Sequence, residues 1–176
     1  MLQSDSEELF TQRLHLRRPI QADAAAIIAI VGDWEVARRL GRVPHPYHQP
    51  DFDRFLVHVV PSEPTWAIVL RETNELIGMI SLVPHLDDLS AELGYYLGRP
   101  YWGCGYATEA GQAIVRFGLD RMGCAKLTSR YHLDNPASGQ VLEKLGFRSV
   151  GTSKHFCLAE GKNKPTDEME LIPLIP

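Results

Sequence analysis

The stretch from Leu97 to Thr108 leaves the fewest folds open. It passes from a strand-patterned run straight through Gly103 and Gly105 into a helix-patterned run opening at Thr108. Two glycines one residue apart remove side chains where the backbone must turn tightly and approach a ligand. The free N–H groups of the helix's first turn, aided by the helix dipole, then make an anion site. On these residues alone two readings stay open: a cradle for a diphosphate, or a tight turn before a helix. No Gly-Lys-Ser/Thr tripeptide occurs, so this is not a Walker loop. A dinucleotide fingerprint needs a third glycine where Thr108 stands, and it normally follows the first strand, whereas several strands precede this loop.

On either side the hydrophobic period switches between strand and helix. Residues 11–17 read as a strand closed by Pro19, because Leu14 and Leu16 alternate with Arg13, His15 and Arg17. From Ala22 the spacing of Ile27, Ile30, Val31 and Trp34 is helical, and a second helical piece, 35–40, ends at Gly41. Pro44 and Pro46 force an extended connection. Residues 51–60 gather Phe52, Phe55, Leu56, Val59 and Val60 on one helical side. Residues 65–71 and 76–83 form a hairpin about 72–75, and the second strand, apolar on both faces, belongs in the middle of a sheet. A strand at 90–97 leads into the glycine loop, and a long helix at 108–122 stops at Gly123. A strand at 126–133, a helix at 135–145 stopped by Gly146, and closing strands at 147–151 and 168–174 complete the order. Hairpins and helical crossovers together predict an α/β fold of the mixed (α+β) kind, with about seven strands in a mixed sheet and about four helices. With no linker and no repeat, residues 1–176 read as one domain.

Composition narrows the partners. With 18 Lys+Arg against 22 Asp+Glu the formal net charge is −4, without the basic excess of a nucleic-acid binder. The longest apolar run, 24–31, is too short to cross a bilayer, and the acidic, polar start from Met1 to Glu8 is not a signal peptide. Cys104, Cys124 and Cys157 are odd in number and scattered, which fits reduced thiols in a cytoplasm better than a disulfide frame. The reading is therefore a cytoplasmic protein without a nucleic-acid or membrane partner. His45 and His48 are not aligned by a helix, and no cluster completes a zinc site, so no metal is predicted. Cys104 has no histidine partner arguable from sequence and reads as a small loop residue.

Asn135-Pro136-Ala137-Ser138 opens a helix with an N-cap residue and a proline at the first helical position. Taken singly, Asn135 caps and Ser138 solvates the first turn, while Val141, Leu142 and Leu145 face the core. Taken together, Tyr101-Trp102-Gly103-Cys104-Gly105-Tyr106-Ala107-Thr108-Glu109-Ala110, then Asn135-Pro136-Ala137-Ser138, then Leu145-Gly146-Phe147 resemble the GNAT superfamily of acetyl-CoA N-acetyltransferases. Thr11-Gln12-Arg13-Leu14-His15-Leu16-Arg17 and Ala91-Glu92-Leu93-Gly94-Tyr95-Tyr96 resemble its ribosomal-protein-alanine acetyltransferase branch. The likeness is strong from Glu92 to Phe147 and weak through 41–64, where family members shape their acceptor sites.

The resemblance implies a sheet splayed between the strands 90–97 and 126–133, with the pantetheine arm of acetyl-CoA in the wedge. Tyr96 and Leu97 would pair with that arm as an added strand does. Gly103, Cys104, Gly105, Tyr106, Ala107 and Thr108 would hold the diphosphate. Asn135 would hydrogen-bond the pantetheine arm, and Ser138 would lie near the sulfur. Pro100 departs from the family pattern, which often has Gln or Arg there, and it lacks an N–H. Leu142 stands where many members carry a tyrosine that protonates the leaving thiolate. The ribosomal-alanine branch looks instead to a serine three residues after the Asn, which matches Ser138.

The chemistry needs a base, because an α-amine (ordinary pKa about 7.7–8.0) or a lysine (about 10.4) arrives largely protonated. Glu92 occupies the place where the family commonly puts a glutamate base, acting directly or through water; otherwise it is a surface strand residue. His85 is the second candidate. The implied function is acetyl transfer from acetyl-CoA, a co-substrate, to a primary amine, first a protein or peptide N-terminus, in a monomer or homodimer. The alternatives are a small-molecule amine (antibiotic, polyamine or amino acid) and an acyl-CoA sensor without catalysis. The presence of both Glu92 and Ser138 argues against the sensor.

Overall fold

Burial on both faces of β3 (Thr65–Leu70) shows how the molecule is layered. Trp66 and Ile68 enter one core, and Ala67 and Val69 enter another on the opposite face. The computed structural model, which describes residues 7–86 and 89–173, arranges eight strands in one sheet in the order β1-β2-β3-β4-β5-β6-β8-β7. The remaining strands are β1 (Leu9–Phe10), β2 (Leu14–Arg17), β4 (Leu76–Pro84), β5 (Ser90–Leu97), β6 (Lys126–His132), β7 (Arg148–Cys157) and β8 (Lys162–Leu171). The helices are α1 (Ala24–Gly32), α2 (Trp34–Ala37), α3 (Gln49–Arg54), α4 (Tyr106–Arg116) and α5 (Pro136–Lys144). Ile27 and Val31 of α1 and Phe52 of α3 cover one face of the sheet. Ala110 and Ile114 of α4 and Leu142 of α5 cover the other. As the two-sided apolar pattern predicts, β4 lies between β3 and β5.

Several boundaries differ from the sequence reading. The first strand is divided: the Thr11 N–H donates to the Leu14 carbonyl at 2.9 Å, so Leu9–Phe10 folds back on β2 as a separate strand. That turn raises the count from seven strands to eight. The last two strands are longer than their apolar patterns, ten residues each. β7 is an edge strand, exposed along most of its length, and needs no apolar alternation to pair. β8 ends at Leu171, and Leu174 lies outside the described residues. Finally, α4 opens at Tyr106 rather than Thr108, because Gly105 at φ 80° turns the chain directly into the helix. A π-helical turn, Phe117–Arg121, continues it.

All neighbouring strands are antiparallel except β5 and β6, which α4 joins as a crossover. That one parallel pair holds for only three residues, Ser90↔Lys126, Ala91↔Leu127 and Glu92↔Thr128. The Ser129 hydroxyl then donates to the Leu93 carbonyl at 2.8 Å. Among the described residues, beyond this bridge β5 pairs only with β4 and β6 only with β8. The sheet thus opens into the wedge that the family resemblance implies.

Candidate active site

The glycine loop lies at the mouth of the wedge. Gly103 and Gly105 have φ of 74° and 80°, where an L side chain costs roughly 1–2 kcal/mol. The first helical bond of α4 runs from the Glu109 N–H to the Gly105 carbonyl at 3.0 Å. Among the described residues, the N–H groups of 103–108 donate to no group of the protein. A Cβ on Gly103 would meet nothing within 4 Å. Here the turn exposes a row of donors at a helix N-terminus. Glu109, in the first turn, is pushed up by burial, but hydrogen bonds from Thr11 and Arg13 outweigh this and hold it below its ordinary value. A cavity of about 510 Å³ flanks the loop, with Gly105 and Thr108 on one side and Arg116 and Lys144 also lining it. Cys104 is exposed, its Sγ 3.6 Å from the Trp102 carbonyl.

The register of β5 sets what the wedge presents. The Gly98 N–H donates to Ile77 and the His85 N–H to Ser90, each at 2.8 Å. Alternation from these two bonds directs the main-chain groups of Glu92, Gly94 and Tyr96 to β4, and those of Leu93, Tyr95 and Leu97 to the wedge. Of the two strand residues implicated from sequence, Leu97 therefore turns its main chain to the wedge. The main chain of Tyr96 is committed to Met79. The Leu97 carbonyl accepts from the Trp102 indole at 2.9 Å. The Tyr96 side chain packs on the α1–α3 face, where burial pushes its phenol well up.

Tyr95 points the other way, toward α5. Its hydroxyl lies 2.8 Å from Ser138 Oγ and 3.1 Å from the Ser138 carbonyl. Burial pushes this phenol up to about 12, with the Ser138 bond acting in the opposite direction. Sequence reading missed Tyr95; its alternation with Glu92 was visible, but no partner was. Asn135 and Ser138 are both half-buried. The Asn135 side chain makes no cap bond to the helix, so capping is not what employs its amide. At Gly139 a Cβ would come within 2.6 Å of Tyr131 Cζ, so any side chain there would force the Tyr131 ring or α5 to shift. Leu142 is fully buried in the core.

Glu92 occupies the opposite face of β5 at the head of the wedge. Its Oε1 is 3.2 Å from Arg130 of β6. His85 lies nearby, with Nε2 3.3 Å from the hydroxyl of Thr128, the residue paired with Glu92. Farther along this face Glu168 of β8, in register with Arg130, accepts from His155 Nε2 at 2.6 Å and from Ser153. Burial pushes the Glu168 carboxyl up, and these two bonds pull it lower on balance. Arg42 forms a two-pronged pair with Glu63 at 3.1 and 3.2 Å. Arg130, Ser153, His155 and Glu168 carried no sequence signal, because only strand pairing brings Arg130 to Glu92 and sets Glu168, with Ser153 and His155, in register beside Arg130. Among the described residues no group of three or more His, Cys, Asp or Glu could hold a metal ion, and no helix is long and apolar enough to cross a membrane.

Residues 13–148 match the family model for the acetyltransferase (GNAT) domain, a span that includes Glu92, the glycine loop and Ser138. The chain belongs to the GNAT acetyltransferase family. Over 163 residues this GNAT chain is 26% identical to the uncharacterized N-acetyltransferase p20 of Bacillus licheniformis, covering 89% of this chain and 90% of the relative. It is 31% identical over 70 residues to the [ribosomal protein uS5]-alanine N-acetyltransferase of Escherichia coli, covering 40% and 36% of the two chains. The GNAT fold is similar to the crystal structure of spermidine N-acetyltransferase from Vibrio cholerae in complex with CoA and spermine. That comparison has a TM-score of 0.78 at 17% identity and covers 92% of this chain and 96% of that one. The mixed, splayed sheet is thus a GNAT fold, and the chain is an N-acetyltransferase by family.

Proposed function

We propose that this GNAT domain, spanning residues 1–176, transfers an acetyl group from acetyl-CoA to a primary amine, first a protein or peptide N-terminal α-amine. The observation that carries the reading is the wedge between β5 and β6. It has unsatisfied loop donors at one end and the Tyr95–Ser138 hydroxyl pair against α5. When bound, acetyl-CoA supplies an acyl group on a thiol leaving group. The N–H groups of Gly103, Cys104, Gly105, Tyr106, Ala107 and Thr108 hold the diphosphate, the Leu97 main chain and Asn135 hold the pantetheine arm, and Ser138 meets the sulfur. Glu92, directly or through water, accepts the proton that the acceptor ammonium must lose before its lone pair can attack. The single phenolic proton of Tyr95 lies between the Ser138 carbonyl and Oγ; given to Oγ, it leaves the serine O–H free to donate to the departing sulfur.

The choice of an N-terminal amine over a polyamine is supported by charge. On the acceptor face Glu63 is paired with Arg42 and Glu92 with Arg130, and Glu168 accepts from His155 and Ser153 within the field of Arg130. A site for a polycation gains from unpaired carboxylates, and the described carboxylates here are compensated. The test is thiol release from acetyl-CoA by the purified protein, offered N-terminal peptides, amino acids, spermidine and aminoglycosides in parallel. Release with peptides is the expected result. Release only with a polyamine would overturn the acceptor assignment, and no release with any amine would overturn the transferase reading of this chain.

A further inference from the structure

The turn between β1 and β2 lies against the glycine loop, and Arg13 joins the two. Its Nε donates to Glu109 Oε2 at 2.7 Å and its NH1 to the Cys104 carbonyl at 3.0 Å. Its main-chain N–H reaches Glu109 Oε1 at 2.8 Å, an oxygen that also accepts from the Thr11 hydroxyl at 2.6 Å. The guanidinium covers the Tyr106 ring at 4.3 Å. Its NH2 stands 3.4 Å from the point that a Cβ on Gly105 would occupy. Every one of these partners belongs to the glycine loop or to the first turn of α4.

Two features of that loop oppose an anion unless something restrains them. Glu109 puts a carboxylate in the first turn of the helix whose N-terminus would receive the diphosphate. The Cys104 carbonyl, if turned inward, would present an acceptor among the donors. Arg13 deals with both, because its charge offsets Glu109 and its NH1 holds the carbonyl. With 42% of its side chain exposed, such an ion pair adds little to stability, so its loss should be read in function.

We propose that Arg13 is a positioning residue of the diphosphate loop, compensating Glu109 and pinning the Cys104 carbonyl so that residues 103–108 offer donors alone. The inference rests on the diphosphate reading of that loop. The test compares kcat and KM for acetyl-CoA with those for S-acetyl-N-acetylcysteamine, which carries the same thioester without a diphosphate. Arg13→Ala is expected to lower kcat/KM for acetyl-CoA about ten- to hundred-fold, chiefly through KM, the scale of a lost charged hydrogen-bond network. With the truncated thioester the loss is expected to stay within about two-fold, because no diphosphate is there to be positioned. Arg13→Lys keeps the charge without the planar fork and recovers part of the loss. Glu109→Gln in the Arg13→Ala background recovers part by removing the uncompensated carboxylate.

Equal losses with both thioesters would overturn the proposal in favour of a general structural role, and so would no loss with either. Melting curves identify a variant that does not fold, in which case Arg13→Lys and Glu109→Gln alone carry the same comparison. Failure of the underlying reading looks different. The wild type would then use acetyl-CoA no better than the truncated thioester, and Arg13 would lose its role along with the loop.

Discussion

Ser138 and Tyr95 share a hydrogen bond of 2.8 Å, and its direction decides what the serine can do. The Tyr95 phenol, pushed up to about 12 by burial, holds its proton across the neutral range, and that one proton has the Ser138 carbonyl at 3.1 Å and Oγ at 2.8 Å as its acceptors. Ser138→Ala is expected to lower single-turnover acetyl transfer by about 10²-fold and to leave CoA affinity within a few-fold, as for a group acting mainly in the transition state. Tyr95→Phe should give a smaller loss of the same kind. A Ser138→Ala enzyme with unchanged turnover would return the serine to its helix turn. For Glu92→Gln the expected cost is about 10²–10⁴ near neutrality. That cost shrinks as pH rises past about 8, because the acceptor α-amine then arrives already neutral. A loss independent of pH would mark Glu92 as an acceptor-binding group held beside Arg130, and no loss would shift attention to His85.

At the scale of elements, the strand–loop–helix unit from β5 to α4 is the most informative. Its strand was legible to the residue, because Ala91, Leu93, Tyr95 and Leu97 alternate with Ser90, Glu92, Gly94 and Tyr96 along the sequence. The helix start was displaced by two residues, because propensity does not reveal that a glycine at positive φ acts as the cap. Gly105→Ala and Gly105→Glu separate the two properties of this unit. The alanine variant reports backbone strain alone, roughly 1–2 kcal/mol of stability by urea unfolding. The glutamate variant adds a negative charge and a longer side chain beside the loop donors. Its CoA dissociation constant by calorimetry should exceed that of the alanine variant by about ten-fold or more. Equal affinities would place the diphosphate elsewhere.

Across the whole molecule, the β7–β8 hairpin is tied to the helical layers by one buried cation. The Lys164 side chain is 5% exposed, and its Nζ meets the Arg38 carbonyl at 2.9 Å, Asp134 at 2.8 Å and Glu160 at 2.7 Å. Lys164→Ala leaves three acceptors short of a donor and should destabilise the fold by about 1–3 kcal/mol at neutral pH. Lys162 and Lys164 hold the Glu160 carboxyl down to about 2, against an ordinary 4.5. A lowered acid stabilises the fold fully above its unfolded value and loses that contribution as pH falls through its folded value. The stability gap between wild type and Lys164→Ala should therefore narrow as pH falls from 4.5 toward 2. Urea midpoints at stepped pH check this, and a gap that stays constant would remove Glu160 from the account.

What the chain determined by itself was whatever repeats locally. The two-sided apolar run of β4, the alternation of β5, the glycines of the loop and the Asn-Pro opening of α5 each declare an element within a few residues, because backbone geometry and burial impose a period. The mixed class followed from their order. Tertiary structure alone decided what each face meets. Arg13 reaches Glu109 across 96 positions and Tyr95 reaches Ser138 across 43. Arg130 stands between Glu92 and Glu168 only because three strands pair in register. The same holds for Asn135, which carries the signature of a cap yet makes no cap bond. A periodic pattern specifies which side of an element is buried. It carries no record of the partner, because that partner is chosen by the packing of the whole sheet and its two helical layers.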